Sequence, residues 1–383
     1  MSNTVERTVE RADGPDRVQT SAGSARFGTI DGIRAYAIIL IVLSHCLILN
    51  QGGVGNSLFF VVSGFLAASP LKTDAEATYT KLRNWFVFYT DKIFRICPPM
   101  YVCLIIVFLG CKIMKTDHFG SVRSLILNML LVEPWGHLWY LQSIMLMYAA
   151  VPPIMAIGYL IKKRFFKGNN NIGYCLSFAA AVGLAAIICR LFVMPNLVIY
   201  YKNFQIHQFL IGFSAAYIYK AVILYRRNKN AERPPFGMRL LYSVVSAVIS
   251  VLFIVSANVI ICRINFDWRW FFIGWDLPMT TALLSAALLL SLVLNERGII
   301  GRIYSFPLFG FIGQMSFGIY LIHYFLLAVT GVSNRYKTFA AVFVVSLGGA
   351  LLLYLFTEKP FARAWKRRSI KAFFTYFVEM YKL

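Results

Sequence analysis

Two polar side chains stand in the first apolar stretch of the sequence, DGIRAYAIILIVLSHC, which covers residues 31–46. Arg34 is a permanent cation that can hold anionic groups, and His45 is an imidazole that can exchange protons near neutral pH. Eleven residues are almost three helical turns, so both side chains project from one helix face, about 16 Å apart along the axis. The sequence therefore predicts one interior cavity lined by both residues at two depths.

Each of these residues alone also has a purely structural explanation. Arg34 lies near the start of the stretch and could extend to a membrane interface, while His45 could be a packed histidine. Asp31, three residues before Arg34, is either the N-cap of the helix or a partner of the guanidinium. The placement of Arg34 and His45 on one face is what favours a functional site.

Four further stretches place polar side chains at apolar positions. They are SLFFVVSGFLAAS with Ser63, YTDKIFRICPPMY with Lys92 and Arg95, GHLWYLQSIMLMY with His137 and Trp139, and SFGIYLIHYFLL with Tyr320 and His323. An ionisable side chain at the centre of a membrane helix costs roughly 2.5 to 3.5 kcal/mol, so each one invites a functional hypothesis. Close packing explains Ser63 beside its glycine, and an aromatic belt explains Trp139.

Lys92 and Arg95 lie three residues apart and therefore on one helix face, which we expect at the cytoplasmic side. Two cations in this arrangement suit a phosphate-bearing ligand, and they equally suit lipid headgroups. Pro98 and Pro99 follow directly. Because proline lacks a backbone N–H, they are predicted to disrupt the start of the next span.

The composition indicates a polytopic membrane protein. Hydrophobic residues make up 59% of the 383 residues and charged residues only 14%, with a mean hydropathy of +0.66. The formal net charge of +22 comes from Lys and Arg between apolar runs, where they set topology, so we expect contact with membrane lipids and no nucleic-acid partner. The seven Cys residues are scattered without paired ligand spacing, which predicts free thiols and no metal site.

The fold class predicted from this pattern is all-α, a bundle of about ten transmembrane helices. The predicted spans are 33–50, 55–71, 96–114, 138–161, 172–194, 203–225, 238–262, 273–294, 306–330 and 338–357. Cations concentrate in alternate loops, which places both termini in the cytoplasm and requires residues 121–135 to lie on or dip into the outer face. We expect a disordered cytoplasmic tail over 1–27, a membrane domain over 28–360 and a basic cytoplasmic tail over 361–383.

Taken together, the quoted stretches resemble the acyltransferase-3 family of integral membrane acyltransferases. Their order and spacing match that family from about residue 28 to residue 358. The resemblance implies about ten helices in the plasma membrane and transfer of an acyl group, usually acetyl, from an acyl-CoA. The acceptors it implies are sugar hydroxyls of cell-surface glycans, glycolipids or lipid-linked sugars, while the oligomeric state stays undetermined.

The resemblance also implies roles for individual residues. Arg34 and His45 match the family's Arg-to-His signature, and Lys92 and Arg95 match its cytoplasmic basic pair, which receives the CoA phosphates. We expect His45 to act as the general base and Arg34 to hold the acyl-CoA or its developing negative charge. Direct transfer is the favoured scheme, and a covalent acyl-histidine stays open. The secondary candidates are Asp31, Ser63, His137, Trp139, Tyr320 and His323.

The chain departs from the family pattern at two places. Lys92 stands where the family normally has Arg, which keeps the charge but loses the planar fork. Ile144 and Met145 stand where many members carry paired Glu in the fourth span, so we expect this chain in the branch with the HLWYL form. Glu358, at the end of the tenth span, is interpreted as an anchor beside the basic tail.

Three alternatives to this function remain open. The chain could be a transporter or export component for a polysaccharide or lipid-linked sugar, which would need no acyl-CoA. It could act on a peptide or amino-acid group by N-acylation, which nothing in the sequence decides. The unrelated membrane-bound O-acyltransferase class is disfavoured by the Arg34 and His45 motif.

Overall fold

In the computed structural model, the described residues are 27–49, 51–69, 71–72, 75–113, 115, 121–166, 171–193, 205–231, 233–255 and 277–361. All regular structure within these ranges is helical. Almost all of both predicted tails lies outside the described residues. The end of the predicted seventh span and the start of the eighth lie outside them too.

Twelve α-helices are present in the described part of the chain. They are α1 (Gly28–His45), α2 (Gly52–Ala67), α3 (Leu82–Ile113), α4 (Val122–Met129), α5 (Trp139–Phe165), α6 (Asn171–Ile188), α7 (Ile206–Asn228), α8 (Phe236–Val255), α9 (Leu277–Val293), α10 (Ile299–Tyr304), α11 (Pro307–Thr330) and α12 (Arg335–Leu353). Short 3-10 helices, Ala75–Thr80 and Gly136–Leu138, precede α3 and α5. The π-helical segments Cys189–Val193 and Tyr354–Glu358 extend α6 and α12.

The chain is a multi-pass integral membrane protein. Among the described residues, 8 helices are long and apolar enough to cross a bilayer, namely α1, α3, α5, α6, α7, α8, α11 and α12. The predicted second and eighth spans correspond to α2 and α9, which are shorter apolar helices of 16 and 17 residues. With 8 residues, α4 is only about 12 Å long. The helix in the segment 121–135, which was predicted not to span the membrane, is therefore too short to cross it.

The prediction that Pro98 and Pro99 disrupt the start of the third span is wrong. A single helix, α3, runs from Leu82 to Ile113 through both prolines. Membrane helices tolerate proline because neighbouring groups and small local adjustments satisfy the carbonyls that lose a partner. Here Pro99 and Met100 are buried against the rest of the bundle. Lys92 and Arg95 therefore lie within α3 itself, and the helix fixes their relative positions.

Glycines bring the central helices into backbone contact. A Cβ atom on Gly64 of α2 would overlap the carbonyl oxygen of Phe209 in α7, and one on Gly212 of α7 would overlap the carbonyl oxygen of Val61 in α2. The same relation holds between Gly313 of α11 and the carbonyl of Asp31 in α1. Inside a bilayer, helices gain little from the hydrophobic effect, and small residues permit the close packing that replaces it. The positions of α1, α2, α7 and α11 are fixed in this way.

A buried ion pair ties the segment between α2 and α3 to α7. Oε1 of Glu76 accepts a hydrogen bond of 2.5 Å from the Tyr217 hydroxyl and lies 3.5 Å from Nζ of Lys220. Both charged side chains are almost completely enclosed, 1% and 3% exposed. Because Glu76 stands six residues before α3 begins, this pair helps to fix the start of the helix that carries Lys92 and Arg95.

Lys220→Met is expected to lower the free energy of unfolding by about 3–5 kcal/mol, because it leaves the Glu76 carboxylate buried without its cation. The double variant Glu76→Gln/Lys220→Met removes both charges and should recover most of that loss. The measurement is thermal unfolding of the purified protein in detergent. Lys229→Met, at an exposed position at the end of α7, is the control. If Lys220→Met melted at the control temperature, the pair would not stabilise the fold.

Candidate functional site

One helix face of α1 carries Arg34 and His45, and α11 lies beside both. Arg34 and Tyr320 of α11 line the same cavity. The ring centroid of His45 lies 5.2 Å from that of His323, which follows Tyr320 by three residues on α11. The two helices therefore face each other with polar groups at two levels, although the pair on α1 is eleven residues apart and the pair on α11 only three.

A cavity of about 120 Å³ lies at the Arg34 level. Its polar lining comes from five helices and the π-helical turn after α12: Arg34, Ser63, Lys92, Arg95, Tyr140, Tyr148, Ser316, Tyr320 and Glu358. Three cations thus face one carboxylate, which makes this cavity electropositive. A site with this charge suits an anionic ligand. We call it the basic cavity.

Asp31 and Glu358 are the carboxylates that interact favourably with Arg34, while Arg95 repels it. Oδ1 of Asp31 lies 3.9 Å from Nη1 of Arg34. The N-cap of α1 is Phe27, and Asp31 lies buried in the first turn. The interpretation of Asp31 as an N-cap is therefore wrong, and its position is that of a partner for Arg34.

Lys92 is held against aromatic rings in the basic cavity. Its Nζ lies 4.4 Å from the ring centroid of Tyr148 and 5.2 Å from that of Phe88. An ammonium over a ring face is stabilised by the ring quadrupole, and it remains a point charge rather than a planar fork. Arg95 is exposed and lies one turn further along the same helix face. The pair presents one charge inside the cavity and one at its edge.

Three histidines form a second cluster, at the His45 level. The ring centroid of His323 lies 5.2 Å from that of His45 and 5.4 Å from that of His137. His323 is fully buried and His137 is buried, whereas His45 is half-buried. No group of three or more potential metal ligands in the described part of the chain is arranged to hold an ion. We call these three residues the histidine cluster.

Tyr320 belongs to both sites. It lines the basic cavity. Its ring centroid lies 5.1 Å from that of His137, and its hydroxyl donates a hydrogen bond to the backbone oxygen of His137. The expectation that Arg34 and His45 line one cavity holds for Arg34 only, since His45 is not part of the cavity wall. Tyr140 and Tyr320 both line this cavity, with 5.4 Å between their ring centroids.

Of the remaining predicted residues, Ser63 lines the basic cavity and Trp139 does not. The half-buried Trp139 ring packs against Phe60 of α2, with 6.1 Å between ring centroids. His137 lies in the 3-10 turn before α5, not in the helix itself. The sequence reasoning thus selected side chains in both clusters, together with one that only packs.

Glu358 is a site residue that the sequence reasoning missed. It was interpreted as an anchor, but it lines the basic cavity opposite Arg34 and Arg95. The sequence feature that could have identified Glu358 is its position at the end of a predicted span, where an ionisable residue invites a functional hypothesis. The π-helical turn that carries it is a further sign, because such turns are frequent at functional sites. Ile144 of α5 lines the same cavity.

Comparisons with known proteins identify the family of the chain. A family model described as an acyltransferase domain matches residues 27–357. A Staphylococcus aureus (strain COL) protein, named only as a candidate O-acetyltransferase, is 25% identical over 382 residues, which cover 90% of this chain and 58% of that protein. Peptidoglycan O-acetyltransferase OatA of Listeria monocytogenes is 23% identical over 331 residues, which cover 79% of this chain and 49% of that protein. The chain spans about half the length of these relatives, and no solved structure matches it.

Proposed function

Since the chain belongs to the acyltransferase-3 family, we propose that it transfers an acetyl group from acetyl-CoA to a hydroxyl of a cell-surface glycan, glycolipid or lipid-linked sugar. The observation that carries this proposal is the pairing of the basic cavity with the histidine cluster along α1 and α11. One level offers cations for an anionic donor, and the other offers imidazoles for proton transfer. Relatives named as O-acetyltransferases support acetyl as the group transferred.

The donor binds from the side of the membrane on which the basic cavity lies. Lys92 and Arg95 hold the phosphates of CoA, because cations in this position form charge-assisted hydrogen bonds with phosphate oxygens. The cavity volume of about 120 Å³ is below the roughly 300–1,000 Å³ of pockets that enclose a whole ligand. The cavity therefore does not enclose the whole of acetyl-CoA: the nucleotide stays outside, and the thioester arm extends beyond the cavity towards His45.

Arg34 contacts the donor rather than the reacting carbonyl. It lies about 16 Å along the helix axis from His45, which is too far for it to stabilise a charge that forms beside the imidazole. Its neighbours Asp31 and Glu358 hold the guanidinium in the cavity wall. This position supports the role of binding the acyl-CoA, one of the two roles that the sequence left open for Arg34.

His45 is the general base in the transfer. It takes the proton from the acceptor hydroxyl as that oxygen attacks the thioester carbonyl. The carbon–sulfur bond then breaks, and the CoA thiolate receives the proton from His45, which gives the acetyl ester and free CoA. Because His45 is the half-buried member of the histidine cluster, it is the one that an acceptor reaches first.

In this proposal the two substrates reach the two levels from opposite sides of the membrane. The cation-rich loops support a cytoplasmic orientation for the termini and hence for the basic cavity. The histidine cluster then lies towards the outer face, where surface glycans are found. A relative that acts on peptidoglycan, by its name, supports a peptidoglycan-type glycan as the acceptor.

Mass spectrometry of surface glycans and glycolipids tests the proposal, in cells with the gene, without it, and complemented by His45→Ala. Acetyl groups should disappear with the gene and stay absent in the complemented strain. The purified protein should move labelled acetyl from acetyl-CoA to the acceptor so identified. Movement of an unmodified glycan across vesicles without any need for acetyl-CoA would instead establish the transporter alternative.

Arg95→Gln is expected to raise the KM for acetyl-CoA by about tenfold or more with little change in kcat, because a charge-assisted hydrogen bond contributes roughly 1.5–3 kcal/mol. Steady-state kinetics at two salt concentrations make the measurement, and the salt dependence should weaken in the variant. The control is Arg83→Gln, at an exposed position in the first turn of the same helix and outside the cavity wall. An unchanged KM for Arg95→Gln would remove this residue from the donor site.

A further inference from the structure

Two buried nitrogens of the histidine cluster lack a hydrogen-bond partner among the described residues. They are Nε2 of His323 and Nδ1 of His137, and both atoms are shielded from solvent. Leaving a buried polar atom without a hydrogen-bond partner destabilises a fold, because the atom has lost its contacts with water. Such atoms are uncommon in folded proteins, and each one requires an explanation, for instance a catalytic role.

The tautomer of each ring is fixed by its other nitrogen. Nδ1 of His323 lies 2.8 Å from the carbonyl oxygen of Tyr320 and 3.2 Å from that of Ile319. Nε2 of His137 lies 3.2 Å from the carbonyl oxygen of Leu321. A carbonyl oxygen can only accept, so these ring nitrogens carry the hydrogens. The two unpartnered nitrogens are therefore lone-pair acceptors, and each needs an N–H or O–H donor.

His45 is the neighbour of His323 with a hydrogen to donate. The ring centroids lie 5.2 Å apart, a separation at which rotation of one ring brings two nitrogens within hydrogen-bond distance. The hydrogens of the other two close rings already have acceptors. The Tyr320 hydroxyl donates to the backbone oxygen of His137, and the ring N–H of His137 donates to the carbonyl oxygen of Leu321. The Tyr324 ring is further away, with 6.4 Å between centroids.

We infer that His323 is a positioning residue for His45, which it orients by accepting, at Nε2, a hydrogen bond from the ring N–H of His45. The inference rests on the proposed function, in which His45 is the general base. Occupying one nitrogen of His45 fixes its tautomer and leaves the opposite nitrogen unprotonated for the acceptor hydroxyl. In the described part of the chain no carboxylate forms an ion pair with His45. His323 thus takes the orienting place that Asp has in a Ser-His-Asp triad.

The transferred proton moves from the acceptor hydroxyl to His45 and then to CoA, and no proton passes from His45 to His323. The acceptor hydroxyl gives its proton to the free nitrogen of His45, which becomes an imidazolium ion. Its other N–H then forms a charge-assisted bond to His323, stronger than the neutral bond before the step. When the carbon–sulfur bond breaks, His45 gives the proton to the CoA thiolate and returns to its neutral form, while His323 stays neutral throughout.

Kinetics of His323→Leu and His323→Gln test the inference. His323→Leu should lower kcat by about 100-fold with unchanged KM for acetyl-CoA and acceptor, because the substrates bind elsewhere. His323→Gln, whose side-chain oxygen can accept the same hydrogen bond, should regain at least a tenth of the wild-type kcat. His207→Leu, a fully buried histidine on α7, controls for loss of a buried ring. Equal kcat values for Leu and Gln at position 323, or wild-type kcat in both, would overturn the inference.

A spectroscopic arm does not depend on activity. The chain has 5 His residues, so selective ¹⁵N labelling of imidazoles gives few signals, and His323→Gln identifies those of His323. In the wild type its Nδ1 should be protonated and its Nε2 unprotonated, and the Nε2 signal should shift in His45→Ala. An Nε2 signal unaffected by His45→Ala would show that the bond does not form. Absence of acetyl transfer by the wild type with every acceptor would instead refute the proposed function, while a shifted Nε2 signal would still support the contact.

Discussion

His45→Ala is expected to lower the rate of acetyl transfer by about 10²–10⁴-fold, the range that general-base catalysis contributes. The variant should still bind acetyl-CoA with wild-type affinity. The reason is the separation between the two clusters: Arg34, Lys92 and Arg95 line the basic cavity, and His45 is not part of its wall. A loss of chemistry with binding retained is the signature of a group that acts only in the transition state.

Two measurements on the same preparation make this test sharp. Calorimetry or a filter assay gives the affinity for CoA, and release of labelled CoA in the presence of acceptor gives the rate. Wild-type turnover by His45→Ala would show that the base has been wrongly assigned. Labelled acetyl trapped on the wild-type protein without acceptor would establish an acyl-enzyme and replace direct transfer.

Gly313→Ala is expected to disrupt both the fold and the activity, although alanine favours helix by about 1 kcal/mol relative to glycine. A Cβ atom at this position would overlap the carbonyl oxygen of Asp31, so α11 must move away from α1. Overpacking costs about 1–3 kcal/mol, and the obstacle here is rigid backbone rather than a flexible side chain. The shift would also separate His323 from His45, since these residues lie on the same two helices.

Gly310→Ala is a closely matched control for this prediction. It lies three residues earlier on α11, and a Cβ atom there meets nothing within 4 Å. The control should keep wild-type activity and melt at the same temperature or slightly higher, whereas Gly313→Ala should melt at a lower temperature and lose most of its turnover. If both variants behaved alike, the close approach of α1 and α11 would not be what holds the two site residues together.

Helical periodicity predicts much of the arrangement because a membrane helix leaves few conformational choices. The spacing of Arg34 and His45 places both on one face, and in the structure Arg34 lines a cavity with residues of α11 while the His45 ring lies beside that of His323. The ten predicted apolar runs correspond to ten helices, and among the described residues 8 helices meet the length and composition of a span. These features depend on the local chain, so a single sequence contains the information that specifies them.

Contacts between distant segments are harder to predict. Periodicity places Glu358 at a helix end. Only the packing of α12 against α1 and α3 brings its side chain into the wall of the basic cavity. The contact between the rings of Tyr140 and Tyr320 in the cavity wall likewise depends on how α5 packs against α11. Proline rules developed for water overstate the effect of Pro98 and Pro99, since helices in a bilayer are supported by their neighbours.

The short helix α2 has a consequence for how a large acceptor reaches the site. At 16 residues, α2 is about 24 Å long, against a hydrocarbon layer of about 30 Å. It packs against α1 and α7, two of the helices long enough to span a bilayer. A bilayer accommodates a helix that is too short for it by thinning around that helix. Under the proposed function, an acceptor glycan then crosses a thinner layer of lipid to reach His45.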